Sequence, residues 1–247
     1  MLSRRLACLG SLALIGLGCG AAAEQTPAAP RLDAQAFLEA KQRILALRAA
    51  VGGDRTDTIS LELDAPYLPS RVKARGAMAV RVPDRLRMIM LGPGGTTAMD
   101  LWMKGDSFRF SIPALGRELA GDASTPAEKK RGLPVDFLRA FVLDPLGGRV
   151  LAASRRGAAL EVLIDEPPNK IVELTLGGDG AIRLHRSWFS SDQEIIEEEW
   201  IEASGLGCAT ATYRQKTTQL VVTARCEKSR VGLNEVALEE PAPKEAP

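Results

Sequence analysis

The chain has 247 residues, with 32 basic and 31 acidic side chains and a formal net charge of +1. That balance excludes binding to nucleic acid or another polyanion through bulk charge, so no nucleic-acid partner is expected. The length is ample for one domain with a sizeable core.

The first predicted element is a targeting segment. Arg4 and Arg5 are followed by an apolar run of thirteen residues, Leu6 to Gly18. A membrane-spanning helix needs roughly 20 such residues, so residues 1–18 read as a processed signal peptide. Two outcomes of processing stand. Cys19 becomes the acylated first residue of a lipoprotein, or an ordinary secretory signal is cut after Ala23. The lipobox is imperfect, because Leu17 stands one position late and Gly16 occupies the usual leucine position. Two features weigh toward a lipid anchor. Residues 20–31, "GAAAEQTPAAPR", are small and proline-rich, with the composition of a flexible tether. The cysteine arithmetic also leaves Cys19 over. Cys8 departs with the signal. Cys208 and Cys226 are 18 residues apart around a turn near Thr217, so they can pair across strands in an oxidising compartment. Two buried thiols are the alternative.

Residues 32–53 predict a helix. Asp33 can cap it, Phe37, Leu38, Ile44, Leu45 and Leu47 recur at helical spacing, and Gly52-Gly53 end it. The period then changes to two. "TISLELDA" sets Ile59, Leu61 and Leu63 against Ser60, Glu62 and Asp64. "KARGAMAVRV" sets Met78, Val80 and Val82 against Arg75 and Arg81, and "RLRMIML" sets Leu86, Met88 and Met90 against Arg85 and Arg87. "AMDLWMK" sets Met99, Leu101 and Met103 against Asp100 and Lys104. "SFRFSIP" sets Phe108, Phe110 and Ile112 against Arg109. With Pro-Asp, Gly-Pro-Gly-Gly and Gly-Asp between them, these are strands of an antiparallel meander with one apolar face.

Residues 113–132 form a polar insertion, followed by a short helix in "LPVDFLRAFVLDPLGG" that carries Phe137, Leu138, Phe141 and Val142. Six more strand-like runs follow, from "AALEVLID" to "TQLVVTARC". The expected domain is 32–236, and 237–247, ending "EEPAPKEAP", is expected to be a disordered tail. About eleven strands with so few helices favour one strongly curved, unclosed antiparallel barrel, a mainly β fold with an N-terminal helix and an inserted lid helix. A two-sheet sandwich is the alternative.

No constellation for chemistry emerges. His185 is the only histidine and lies on a strand, out of phase with Leu184. "GPGGTT" lacks the lysine of a phosphate loop and reads as a hairpin turn. "EIIEEEW" carries four carboxylates that a strand splits between two faces, a solvated surface at best weakly attractive to calcium. The chain reads as non-enzymatic, with no cofactor and no metal expected.

The methionines carry more information. Apart from Met1 they are Met78, Met88, Met90, Met99 and Met103, all on three consecutive strands and all on the apolar parity. Methionine suits a surface that must adapt to varied apolar shapes, whereas an ordinary sheet core uses better-defined side chains. Two readings stand: a wall that contacts acyl chains, and a core filled with methionine.

The order of these pieces resembles the LolA/LolB-type lipoprotein carriers and receptors of Gram-negative envelopes. The residues that carry the resemblance are "VRVPDRLRMIML", "MDLWMKGDSFRF" and the "LP" before the inserted helix. It implies an unclosed barrel with helices as a lid over a hydrophobic cavity that binds lipid or lipoprotein acyl chains. Met78, Val80, Leu86, Met88, Met90, Met99, Leu101, Met103, Phe108 and Phe110 become candidate cavity walls, and Phe137, Leu138 and Phe141 candidate lid contacts. For receptor-like members it implies an anchor at the periplasmic face of the outer membrane and an apolar loop that contacts the bilayer. Tyr67 and Leu68 of "APYLPSRV" are the candidates for that loop. An envelope-anchored adaptor for a protein partner, without lipid cargo, is the competing function.

Overall fold

Alternation of apolar and polar residues is the main determinant of the fold. A computed structural model describes residues 33–241, except 114–115, 127–128, 131–132 and 134. The signal peptide, Cys19, Ala23 and the tether lie outside the described residues. The order is α1 (Ala34–Val51), then β1 (Asp54–Asp64), β2 (Val72–Arg81), β3 (Arg85–Leu91), β4 (Thr97–Lys104), β5 (Ser107–Ile112) and β6 (Arg117–Gly121). A short helix α2 (Val135–Leu138) runs into a π turn over Arg139–Leu143. Then come β7 (Arg149–Arg156), β8 (Ala159–Glu166), β9 (Lys170–Leu176), β10 (Ile182–Phe189), β11 (Ile195–Ala203), β12 (Thr210–Gln215) and β13 (Val221–Val231).

All thirteen strands form one antiparallel sheet in the order β6-β5-β4-β3-β2-β1-β13-β12-β11-β10-β9-β8-β7. Two meanders, β1–β6 and β7–β13, are joined where the first strand pairs with the last. The sheet does not close, and it is not a sandwich. Thirteen strands replace the expected eleven, and the two additional ones are the two edges. β6 lies within the stretch read as a polar insertion, and β7, "RVLAASRR", has no clean alternation because its pairing slips between Val150 and Ala152. Short, charged and bulged strands are what sheet edges require, and they weaken the period that identifies a strand.

Gly76 is the strand glycine with the closest backbone approach. It pairs with Met90, and a Cβ added to it would lie 2.0 Å from the Ile89 carbonyl oxygen. Only glycine lets β3 fold this closely over β2, the usual role of a strand glycine at a barrel corner.

Helix α1 is capped as expected, with Asp33 accepting from the amides of Gln35 and Ala36, both at 3.0 Å. Its buried face is narrower than the spacing implies. Ala36, Ala40 and Ile44 are buried, with Phe37 and Leu47 packed beside them, while Leu38 and Leu45 point away from the sheet. Two alanines let the helix approach β7 and β8 closely. Arg43 anchors it by donating to the Leu176 and Gly177 carbonyls, and Arg48 by donating to those of Pro145 and Leu146.

Candidate functional site

The register places the candidate wall residues in cross-strand rows. One row reads Gly76–Met90–Met99 from β2 to β4. The next reads Met78–Met88–Leu101–Phe110, and the third Val80–Leu86–Met103–Phe108, both from β2 to β5. All ten candidate wall residues are buried in one cluster, and Phe137, Leu138 and Phe141 belong to it. Sequence alternation therefore assigns the inward face of β2–β5 correctly.

The wall is fully packed, in one cluster with the side chains of α2. Leu86, Met88, Met90, Leu101 and Met103 have 0% exposure, which leaves no room for water beside them. Phe137 stacks on Phe141 with centroids 5.5 Å apart and lies 5.6 Å from the Tyr213 ring on β12. Arg139 ties the lid to the β4–β5 turn by donating to the Asp106 carbonyl at 2.7 Å. Two clefts that open to solvent lie elsewhere. One, of about 550 Å³, is lined by Ser60, Glu62, Lys73, Arg75, Leu91 and Arg225, and the other, of about 290 Å³, lies between Phe37 of α1 and Leu151 of β7.

The polar end of the lid rests on buried charge that sequence reasoning missed. Arg186 on β10 donates to Glu199 on β11 and, at 2.7 Å, to Glu166. Tyr213 donates its hydroxyl to Glu199 at 2.8 Å. Glu199 is fully buried, so the four carboxylates of "EIIEEEW" do not form one solvated surface. Burial pushes the Glu199 carboxyl up, against the pull of the Arg186 guanidinium, and the negative charge of Asp136 on α2 adds to the rise. Lys130 neutralises Asp136 at 2.8 Å and is itself buried. The signal for this network was parity: Arg186 and Glu199 fall on the inward phase of their strands.

Other candidates are placed as follows. His185 lies on the outer face, stacked on Trp200 at 5.0 Å, with Glu173 at 3.2 Å and Glu198 at 3.1 Å from its ring nitrogens. Tyr67 and Leu68 are half-buried and pack on the core, so they do not project from the hairpin. Cys208 and Cys226 form a disulfide with their Cα atoms 4.9 Å apart, across the start of the β12–β13 hairpin. Part of the segment expected as a disordered tail is instead placed on the sheet. Glu235–Leu238 form a 3-10 turn on the outer face, and Leu238 is buried there. Trp102, on the polar parity of β4, donates its indole N–H to the Leu238 carbonyl at 3.0 Å. An outward tryptophan between charged residues was the signal for that cover.

Comparison with solved structures identifies the architecture. A LolA superfamily protein from Nitrosomonas europaea superposes with a TM-score of 0.54 at 8% identity, over 81% of this chain and 97% of that one. A putative outer membrane lipoprotein-sorting protein domain from Vibrio parahaemolyticus superposes with a TM-score of 0.50 at 15% identity, over 83% of this chain and 97% of that one. The fold is thus LolA-like. No family model matches the sequence. No curated protein matches it either.

Proposed function

We propose that this protein is an envelope carrier or receptor that binds acyl chains of lipids or lipoproteins against the methionine wall, after the α2 lid lifts from it. The observation that carries the reading is the composition of the wall. Met78, Met88, Met90, Met99 and Met103 are buried together on one sheet face, opposite a lid whose contacts are Phe137, Leu138 and Phe141. Such side chains can repack around a flexible chain with little loss of contact. The LolA-like fold supports the reading, since one structural neighbour is described as a lipoprotein-sorting domain. The closed arrangement is then the cargo-free state: lid aromatics fill the space that acyl chains would take. Binding, not bond chemistry, is the activity, and no cofactor is needed.

In the same reading Cys19 carries the diacylglyceryl and palmitoyl chains. They hold the domain at the periplasmic face of the outer membrane, with 19–31 as tether. Tyr67 and Leu68 would meet the bilayer only after leaving their present packing.

Native mass spectrometry of the full chain, purified without detergent, tests the function. The expected result is a co-purified lipid, or uptake of a fluorescent acyl probe. A chain that neither carries lipid nor takes up the probe overturns the reading. Intact mass separates an acylated Cys19 from an N-terminus at Glu24. The adaptor reading is favoured by one feature, the outward leucines Leu38 and Leu45 on α1. Lipid-free protein that still captures an envelope partner through those leucines would select it.

A further inference from the structure

The outer face of β2–β5 carries a second constellation, independent of the lipid reading. One cross-strand row reads Ala79–Arg87–Trp102–Arg109, so a tryptophan stands between two arginines on three neighbouring strands. Arg81, two residues along β2 from Ala79, lies on the same face in the neighbouring row, opposite Arg85. Each arginine is already matched by a sheet carboxylate: Arg81 by Asp54 at 2.6 Å, Arg87 by Asp100 at 2.9 Å and Arg109 by Glu118 at 2.6 Å. Their side chains are therefore oriented before anything lies over them, and each keeps N–H groups free to donate outward.

What lies over them is residues 234–241, "NEVALEEP". Glu235 takes two bonds from Arg81. The Leu238 side chain is buried while its carbonyl accepts from Trp102. Arg87 donates to the Glu239 carbonyl at 3.4 Å. Arg109 donates to the Glu240 carboxylate at 3.3 Å and to the Pro241 carbonyl at 2.9 Å. The strap thus uses one apolar anchor, acidic side chains before and after it, and main-chain carbonyls between. Its hold is slight. Val236 is 59% exposed, and the Glu235 and Glu240 side chains are 70% and 54% exposed, so their ion pairs contribute little. A single leucine supplies the apolar contact.

We propose that the Arg87–Trp102–Arg109 row is a binding site for an acidic peptide segment of a partner protein, and that residues 234–241 occupy it in cis as a built-in competitor. The partner segment has a leucine-sized residue with carboxylates three positions before it and two after. Preformed cations beside an indole whose N–H needs an acceptor suit such a peptide and do not suit a basic one. The cis strap sets a threshold, because a tethered segment competes at a high effective concentration.

The test uses a fluorescein-labelled peptide, NEVALEEP, titrated by anisotropy into the full chain and into full-chain Leu238→Asp, which releases the strap and leaves the row intact. Leu238→Asp is expected to bind the peptide saturably and at least tenfold more tightly than the unmodified chain. Replacing the peptide's leucine by aspartate should weaken binding at least tenfold, and so should Trp102→Ala added to Leu238→Asp, whereas replacing its glutamates by glutamine should weaken it about two- to fivefold, as for exposed ion pairs. Equal binding by both chains, or no binding to Leu238→Asp, overturns the proposal. So does a Leu238→Asp chain that fails to fold, since the strap would then be part of the core. A concentration-dependent dimer that exchanges straps would make a second copy the occupant and overturn it as well.

Discussion

Replacing Phe137 by alanine separates a lid over a binding wall from an ordinary core helix. Phe137 is 1% exposed, stacks on Phe141 within the lid and meets Tyr213 across it. Lifting the lid keeps the contact with Phe141 and gives up the rest. Burial of the ring contributes about 1.5–3 kcal/mol to closure. The aromatic pair with Tyr213 adds about 0.5–1.5 kcal/mol. Closure therefore weakens by about 2–4.5 kcal/mol. At about 1.4 kcal/mol per tenfold, the open fraction rises by a factor of about 30 to more than about 1,000, until opening is complete. Cargo that needs the open form gains apparent affinity by the same factor. The assay is titration of a fluorescent acyl probe into the two chains, with urea unfolding in parallel. Tighter probe binding by Phe137→Ala, of that order, is expected. Unchanged probe binding with a stability loss of about 3–5 kcal/mol, as for a core phenylalanine, would refute the reasoning.

Gly76→Ala should destabilise by about 1–3 kcal/mol in urea, toward the upper end because the obstacle is the Ile89 main chain. Arg186→Ala leaves Glu199 buried without its cation and should cost about 3–5 kcal/mol, whereas Arg186→Met combined with Glu199→Leu and Tyr213→Phe, which leaves no orphaned hydroxyl, should come close to neutral. Replacing Cys208 and Cys226 together by serine removes a link across 18 residues and should lower stability by about 3 kcal/mol under oxidising conditions, with no change when the parent is reduced. The Arg81 guanidinium holds Glu235 and Asp54 below the usual carboxylate range. Their contribution is therefore complete above pH 4.5 and is lost as pH falls below it, through the folded-state values. Trp102 emission, read in a chain with Trp188 and Trp200 replaced by phenylalanine, should report a weakened hold of the strap in that acidic range.

Alternation was the part of this fold that the sequence carried openly, and its limits are physical. Strands with one buried and one solvated face, such as β1 and β3, repeat at period two, so the methionine wall could be placed residue by residue. The edge strands β6 and β7 are selected for something else, resistance to further pairing, and their charged, bulged sequences hide them. The same rule explains the helix. Ala36 and Ala40 carry little hydrophobic signal, yet close approach to β7 and β8 requires small side chains there, while Leu38 and Leu45, which share the helical spacing, lie outside the core. Parity violations are the informative cases that a hydrophobicity count averages away. Arg186 and Glu199 are charges on an inward phase, and each needs the other to be tolerated there. Trp102 is an apolar ring on an outward phase, and it needs a cover, which a segment with the composition of a tail supplies. A polar residue facing in and an aromatic facing out each demand a partner from elsewhere in the chain. In this protein the inward violation lies under α2 and the outward one under residues 234–241, the two segments proposed above to leave the sheet.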